Sequence, residues 1–204
     1  MKVKTFNFED KALENKALEA HKRLYFYLNR AKLTLERLAL LVKSPDNIPN
    51  TDLKEVERYK KWFGDFNASN VKEVTRIITE IHKKFEEEKI CLYYATKEPG
   101  AEPNDFAYVG QDDIDQQILN IYLCNMFFRT KENTERFNTA LGTILHELTH
   151  LIGKTDDVEI IDCNKKQTTC YGEELCTYLA SFNSKLAIKN ADNYEMYLET
   201  FRNM

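Results

Sequence analysis

Residues 139–157 read TALGTILHELTHLIGKTDD, and within them His146, Glu147 and His150 form an HExxH pattern in a chain with four histidines. Leu141, Ile144, Leu145, Leu148 and Leu151 recur around the motif at three- and four-residue spacing. Asn138 or Thr139 can cap this segment and Gly153 can stop it, so a short core helix is predicted over 140–152. Side chains four apart on a helix differ in direction by about 40°, so His146 and His150 can offer two imidazole nitrogens to one zinc ion. Glu147 then stands where a carboxylate can act as general base toward a water that zinc acidifies to a pKa of about 7, the chemistry of peptide-bond hydrolysis. HExxH arises by chance in on the order of one in a few hundred chains. Its setting here, a helix with an apolar back and a glycine stop, is the one its mechanism requires.

A catalytic zinc takes three protein ligands and keeps an open position. His21 and His82 lie far upstream and read as surface or boundary residues of other helices, and Cys163 and Cys170 lack metal-ligand spacing. A carboxylate is therefore expected. Asp156 and Asp157 follow His150 by six and seven residues, and Gly153 would let the chain reverse and bring them back to the metal. Glu173 and Glu174, at the start of a helix predicted in EELCTYLASF, could instead supply the ligand in a thermolysin-like arrangement. Spacing alone leaves both open.

These residues need a scaffold. A long helix is predicted over 9–43, a second over LKEVERYKKWF behind Thr51 or Asp52, and a third over SNVKEVTRIITEIHKKFEEEK. The composition then turns to β-branched and aromatic residues in KICLYYAT, DFAYVG and QQILNIYLCNMFF, which predicts a small sheet between 89 and 128 around the turn-rich KEPGAEPND. The fold class is α+β, mainly helical. With 204 residues, no repeat, six glycines and four prolines, one domain over 1–204 is expected.

A net charge of −4 with both signs interspersed argues against a nucleic-acid partner. The longest apolar runs, such as LALLV at 38–42, fall far short of the roughly 20 residues of a membrane span. MKVKTFNFEDKALENK contains no apolar signal core, so export would use a leader already removed or another route. The five cysteines, Cys91, Cys124, Cys163, Cys170 and Cys176, have no zinc-ribbon spacing; they read as free thiols or as one or two disulfides in an exported protein.

HELTH followed by GKTDD, then CYG, then NADNYEMYLE, resembles the aspzincin metallopeptidases, the family of deuterolysin and the peptidyl-Lys metalloendopeptidases. YKKWFG, AYVG and IYLCNMFF extend the resemblance over residues 53–204 and leave 1–50 as an N-terminal helical extension. The resemblance implies a zincin-type fold with a small antiparallel-edged sheet and an active-site HExxH helix, one Zn2+ per chain bound by His146, His150 and Asp157, and Tyr171 as oxyanion donor. It also implies an acidic S1′ pocket at Asp192 and Glu195 that prefers lysine at P1′, and a Cys91–Cys124 disulfide in the sheet. Cys163 and Cys170 could close a second bridge.

Two departures stand out: Lys154 sits between Gly153 and Thr155, and VEIIDCNKKQTTC is inserted between the aspartate and Tyr171-Gly172. The resulting expectation is a secreted or exported zinc endopeptidase acting on protein or peptide substrates, either free or as the toxic end of an effector. An extended substrate is expected to pair with the strand at IYLCNMFF. The alternative from another class is a binding or toxin-delivery module whose zinc is structural, closed by four protein ligands, with the N-terminal helices as its partner surface.

Overall fold

The computed structural model describes residues 3–96, 104–130, 137–161 and 165–203. The turn predicted at KEPGAEPND falls mostly outside them. The architecture is mainly helical with two small sheets. After strand β1 (Lys4–Phe6), helix α1 (Lys11–Leu41) starts at Asp10, whose carboxylate accepts from Ala12 N–H at 2.7 Å. Its buried stripe (Ala17, Leu24, Leu28, Ala31, Leu35, Leu38) lies in one hydrophobic cluster with α2 (Asn50–Phe63) and α3 (Ala68–Glu86). Gly64 ends α2 at φ 74°, and a side chain there would collide with Ser184 and the Ala180 carbonyl.

His21 and His82 are buried, contrary to the surface or boundary position expected for them. His21 stacks on Phe85 at 4.4 Å and His82 on Tyr25 at 5.0 Å, because α1 and α3 pack against each other where both rings lie.

The larger sheet combines β1, β2 (Cys91–Tyr94), β4 (Asn120–Leu123) and β3 (Ala107–Tyr108) in the order β1-β2-β4-β3. β1, β2 and β4 are parallel, and β3 closes the edge antiparallel to β4. The register aligns Phe6, Tyr93, Tyr122 and Tyr108, whose rings stack at 4.6, 5.0 and 4.9 Å across all four strands. Such cross-strand aromatic pairs explain how the three-residue β1 holds its place. Leu92 and Ile121 are fully buried.

Between β3 and β4 lies helix α4 (Gln111–Gln116). QQILNIYLCNMFF is a strand only in its middle, since residues after Cys124 turn into helix α5 (Asn125–Arg129). The sheet disulfide is not formed. Cys91 pairs in register with Asn120 and Tyr94 with Leu123, which puts Cys91 and Cys124 at opposite ends of the strand pair as free thiols. Cys163 lies outside the described residues, and Cys170 is a buried free thiol.

Helix α6 (Ala140–Leu148) continues into a π-helical turn, Thr149–Gly153. The inserted segment forms an antiparallel pair, β5 (Glu159–Ile161) with β6 (Gln167–Thr169). Helices α7 (Gly172–Phe182), α8 (Ser184–Lys189) and α9 (Ala191–Glu199) complete the fold. Every residue of α6 and α9 is buried, so the HExxH helix is a core element packed against α9.

Candidate active site

Thr139 caps α6 with its hydroxyl, which accepts from Gly142 N–H at 3.4 Å, and is itself held by Glu199 Oε1, at 2.8 Å from its N–H and 2.6 Å from its hydroxyl. His146 and Glu147 occupy the last turn of α6, and His150 the π-helical turn. Such turns are frequent at functional sites because they rotate one side chain relative to the α-helical frame. The two imidazoles stand 4.9 Å apart between ring centres.

Lys154, not Gly153, reverses the chain: it takes the left-handed conformation (φ 54°), and its ammonium bonds the Ile114 carbonyl. Gly153 instead sits close against α3, where a Cβ would come within 3.1 Å of the Ile77 side chain, which would have to shift slightly to admit it. The next residues are pinned. Asp156 N–H donates to the Lys189 carbonyl at 2.7 Å, and Ala191 N–H donates to the Asp156 carbonyl at 3.0 Å. The structure thereby brings Asp157, rather than Asp156, to the histidines. Asp157 Oδ1 lies 3.1 Å from His146 Nε2 and 3.6 Å from His150 Nε2. Glu173 turns away to Lys61 Nζ at 2.7 Å, and Glu174 is exposed.

Two nitrogens and one carboxylate oxygen are a zinc donor set, and tetrahedral donors about 2.0–2.1 Å from a metal stand about 3.3–3.4 Å apart, the spacing these atoms bracket. Both rings have their Nε2 directed by a partner at Nδ1: His150 Nδ1 is 2.8 Å from the Thr155 carbonyl, and His146 Nδ1 is 3.4 Å from Asp192 Oδ1 and 3.7 Å from Glu195 Oε2. Thr155 is fixed in turn by the Thr149 hydroxyl at 2.8 Å, which also reaches the His146 carbonyl at 2.7 Å. The residues present fit zinc.

Burial works against charge on Asp157 and both histidines, yet their mutual hydrogen bonds win: the Asp157 carboxyl falls well below its ordinary range, and His146 and His150 rise. Burial pushes the Glu147 carboxyl up, with the two histidines opposing. The Glu195 carboxyl is raised by burial and by repulsion from Asp192 and Glu199.

The inserted segment returns the chain to the site. Cys170 N–H bonds the Val158 carbonyl at 2.8 Å, and Asn190 ties Val158 N–H (3.0 Å) to the Cys170 carbonyl (2.9 Å). Tyr171 follows at once, its ring centre 6.0 Å from that of His146. Its phenol is held far above its usual pKa by burial and the Asp157 carboxylate, so it stays a donor. His146, Glu147, His150, Asp157, Tyr171 and Glu195 all line one cleft of about 580 Å³, flanked by Phe106–Val109 around β3.

A family model described as lysine-specific metallo-endopeptidase matches residues 50–199. The chain belongs to the aspzincin family. An extracellular protease of Aeromonas hydrophila is 28% identical over 145 residues, 70% of this chain and 36% of that protein. A peptidyl-Lys metalloendopeptidase of Armillaria mellea is 29% identical over 161 residues, 77% of this chain and 39% of that protein. The aspzincin chain thus spans well under half the length of these relatives. A solved zinc peptidase from Grifola frondosa shares the fold, with a TM-score of 0.58, 20% identity, and coverage of 89% of this chain and 94% of that one.

Sequence reasoning named Thr139 as a candidate cap, which it is, and missed the parts played by Gly142, Thr155, Asn190 and Glu199. All four lie inside the segments quoted for their neighbours, TALGTILHELTHLIGKTDD and NADNYEMYLE, but their contacts to the site run through residues distant in sequence or through the π-helical turn, which spacing does not reveal.

Proposed function

We propose that this aspzincin is a one-domain, zinc-dependent endopeptidase, carrying one Zn2+ per chain and cleaving on the amino side of lysine. The observation that carries the reading is the convergence of His146 Nε2, His150 Nε2 and Asp157 Oδ1 beside Glu147 on one open cleft. Zinc held by these three residues would supply Lewis acidity toward the scissile carbonyl and the attacking water. The Glu147 carboxylate accepts the water's proton and passes it to the leaving amine, a transfer that its burial-raised pKa favours. The Tyr171 hydroxyl donates to the oxyanion.

Asp192 and Glu195 divide their work. Asp192 Oδ2 accepts from Gly172 N–H at 2.6 Å and from the Cys176 thiol at 3.4 Å, while Oδ1 faces His146. It orients the zinc ligand and lends charge to the pocket. Glu195, buried on the same face of α9, is the principal acceptor for the P1′ ammonium, whose charge would offset the burial and the carboxylate repulsion that together raise the Glu195 carboxyl. β4 is enclosed between β2 and β3, so the strand open to a substrate backbone is β3 rather than the one at IYLCNMFF. The Aeromonas relative's description as extracellular supports export of this chain too.

Mass-spectrometric mapping of cuts in an unfolded protein mixture tests the reading, with zinc-loaded protein and the Glu147→Gln variant in parallel. Cuts before lysine that fall by a factor of about 10²–10⁴ in the variant are expected. Cleavage equal in both would overturn it, and metal-edge spectra showing four protein donors and no water would move the reading to a structural zinc.

A further inference from the structure

Helix α9 begins with an asparagine whose side chain does not cap it. Asn190 holds the N-cap position, where an amide oxygen ordinarily accepts from an N–H of the first turn, yet no such bond is made. The carboxamide is fully buried and serves two distant segments instead: Oδ1 accepts from Val158 N–H at 3.0 Å, and Nδ2 donates to the Cys170 carbonyl at 2.9 Å. It cannot turn over, because a backbone N–H only donates and a carbonyl only accepts. Nδ2 also donates to Asn193 Oδ1 at 2.8 Å. Asn193 Nδ2 donates in turn to the carbonyls of Trp62 (2.6 Å) and Cys176 (3.0 Å), which ties the amide pair to α2 and α7.

The two peptide groups that Asn190 holds adjoin Asp157 and Tyr171, fourteen positions apart in the chain. A peptide group is planar, so fixing the Val158 N–H fixes rotation on the carbonyl side of Asp157, and fixing the Cys170 carbonyl fixes rotation on the amide side of Tyr171. The next residues of α9 hold the other two planes: Ala191 N–H donates to the Asp156 carbonyl at 3.0 Å, and Asp192 Oδ2 accepts from Gly172 N–H at 2.6 Å. All four planes flanking the two residues are thus bonded to 190–192, and the inserted segment between them is held at both of its ends, Val158 and Cys170. We propose that Asn190 is a positioning residue that fixes Asp157 relative to Tyr171, so that one buried amide aligns the metal ligand with the oxyanion donor. The proposal rests on the peptidase reading above, in which Asp157 binds zinc and Tyr171 serves the oxyanion.

The test is a double-mutant cycle between Asn190 and Tyr171, read as kcat and KM on a lysyl peptide per zinc-loaded molecule, with zinc affinity and Tm measured alongside. Asn190→Asp keeps an acceptor for Val158 N–H and loses the donor to the Cys170 carbonyl. Its kcat should fall roughly 10–100-fold, the cost of misplacing a catalytic group by up to about 1 Å, with KM and zinc affinity close to those of the wild type. Asn190→Ala releases both ends and should lower zinc affinity as well, by about tenfold. Tyr171→Phe should lower kcat about 100-fold in the wild-type background. In either Asn190 variant it should lower kcat further by only about threefold or less, because residues that act through one another are not additive. The cycle on Asn190→Ala gives the same comparison where Asn190→Asp does not fold. Losses that multiply, or a lower Tm with kcat per zinc-loaded molecule unchanged, give Asn190 a structural role only and overturn the proposal while leaving the peptidase reading intact. A Tyr171→Phe variant as active as the wild type removes Tyr171 from the chemistry and the proposal with it. No lysine-directed cleavage by the wild type overturns the peptidase reading itself.

Discussion

Asp192 Oδ1 stands 3.4 Å from Nδ1 of His146, on the far side of the ring from Nε2, which faces Asp157 at 3.1 Å. The imidazole is thus gripped between one carboxylate that shares its proposed metal site and another that faces its opposite nitrogen. Asp192→Asn should lower zinc affinity about 10–100-fold, read by competition with a chromogenic chelator. Glu195→Gln, whose carboxylate is farther from the ring at 3.7 Å, should lower kcat/KM for lysyl peptides while changing zinc affinity less than Asp192→Asn does.

Asp157 and Asp156 are neighbours with different surroundings. Asp157→Ala should lose zinc on dialysis, measured by atomic emission, whereas Asp156→Ala should retain it, because the contacts that hold Asp156 to 189–191 are made by its backbone. Equal loss from both would contradict the assigned ligand.

Gly142 lies where α6 crosses α9. A Cβ there would overlap Glu199 Oε1 and come within 2.7 Å of Glu195 Oε1, and Glu199 cannot retreat without releasing Thr139. Gly142→Ala should cost ~1–3 kcal/mol of stability, seen as a lower Tm. Because the same shift moves α6 against the Asp192 and Glu195 carboxylates, zinc affinity should fall as well.

His21 gives the chain an acid-sensitive core contact remote from the site. Burial lowers its pKa from 6.5 to about 4, so the folded state binds fewer protons than the unfolded one between those values. The stability held by neutral His21 is complete above pH 6.5 and is lost as pH falls toward 4, by ~3 kcal/mol at the limit. Denaturant titrations between pH 7 and 4 should show this slope, and His21→Phe, which can keep the stack on Phe85, should flatten it.

The helices were legible in sequence wherever their signals are local. α1, α2 and α3 declare themselves by apolar periodicity and by breaks at Ser44-Pro45 and Gly64. Strands β1 and β5 were not legible, since three-residue segments have too little pattern and exist through pairing: Phe6 through its stack on Tyr93, and Glu159–Ile161 through β6. The enclosure of β4, which left β3 as the open edge, could not be read for the same reason. Burial of His21 and His82 likewise depends on where α1 meets α3.

In the site itself, the sequence alone determined that His146 and His150 share a direction and that Glu147 stands beside them, because helical spacing is a property of nearest neighbours. It also narrowed the third ligand to a few carboxylates. Tertiary structure decided the rest. The left-handed Lys154, the π-helical turn and the backbone ties of Asp156 to α8 and α9 aim Asp157 at the histidines, and the β5–β6 pair with Asn190 carries Tyr171 back across the insertion. These placements rest on hydrogen bonds and packing between residues up to tens of positions apart, whose partners are set by the folded core and leave no periodic trace in the chain.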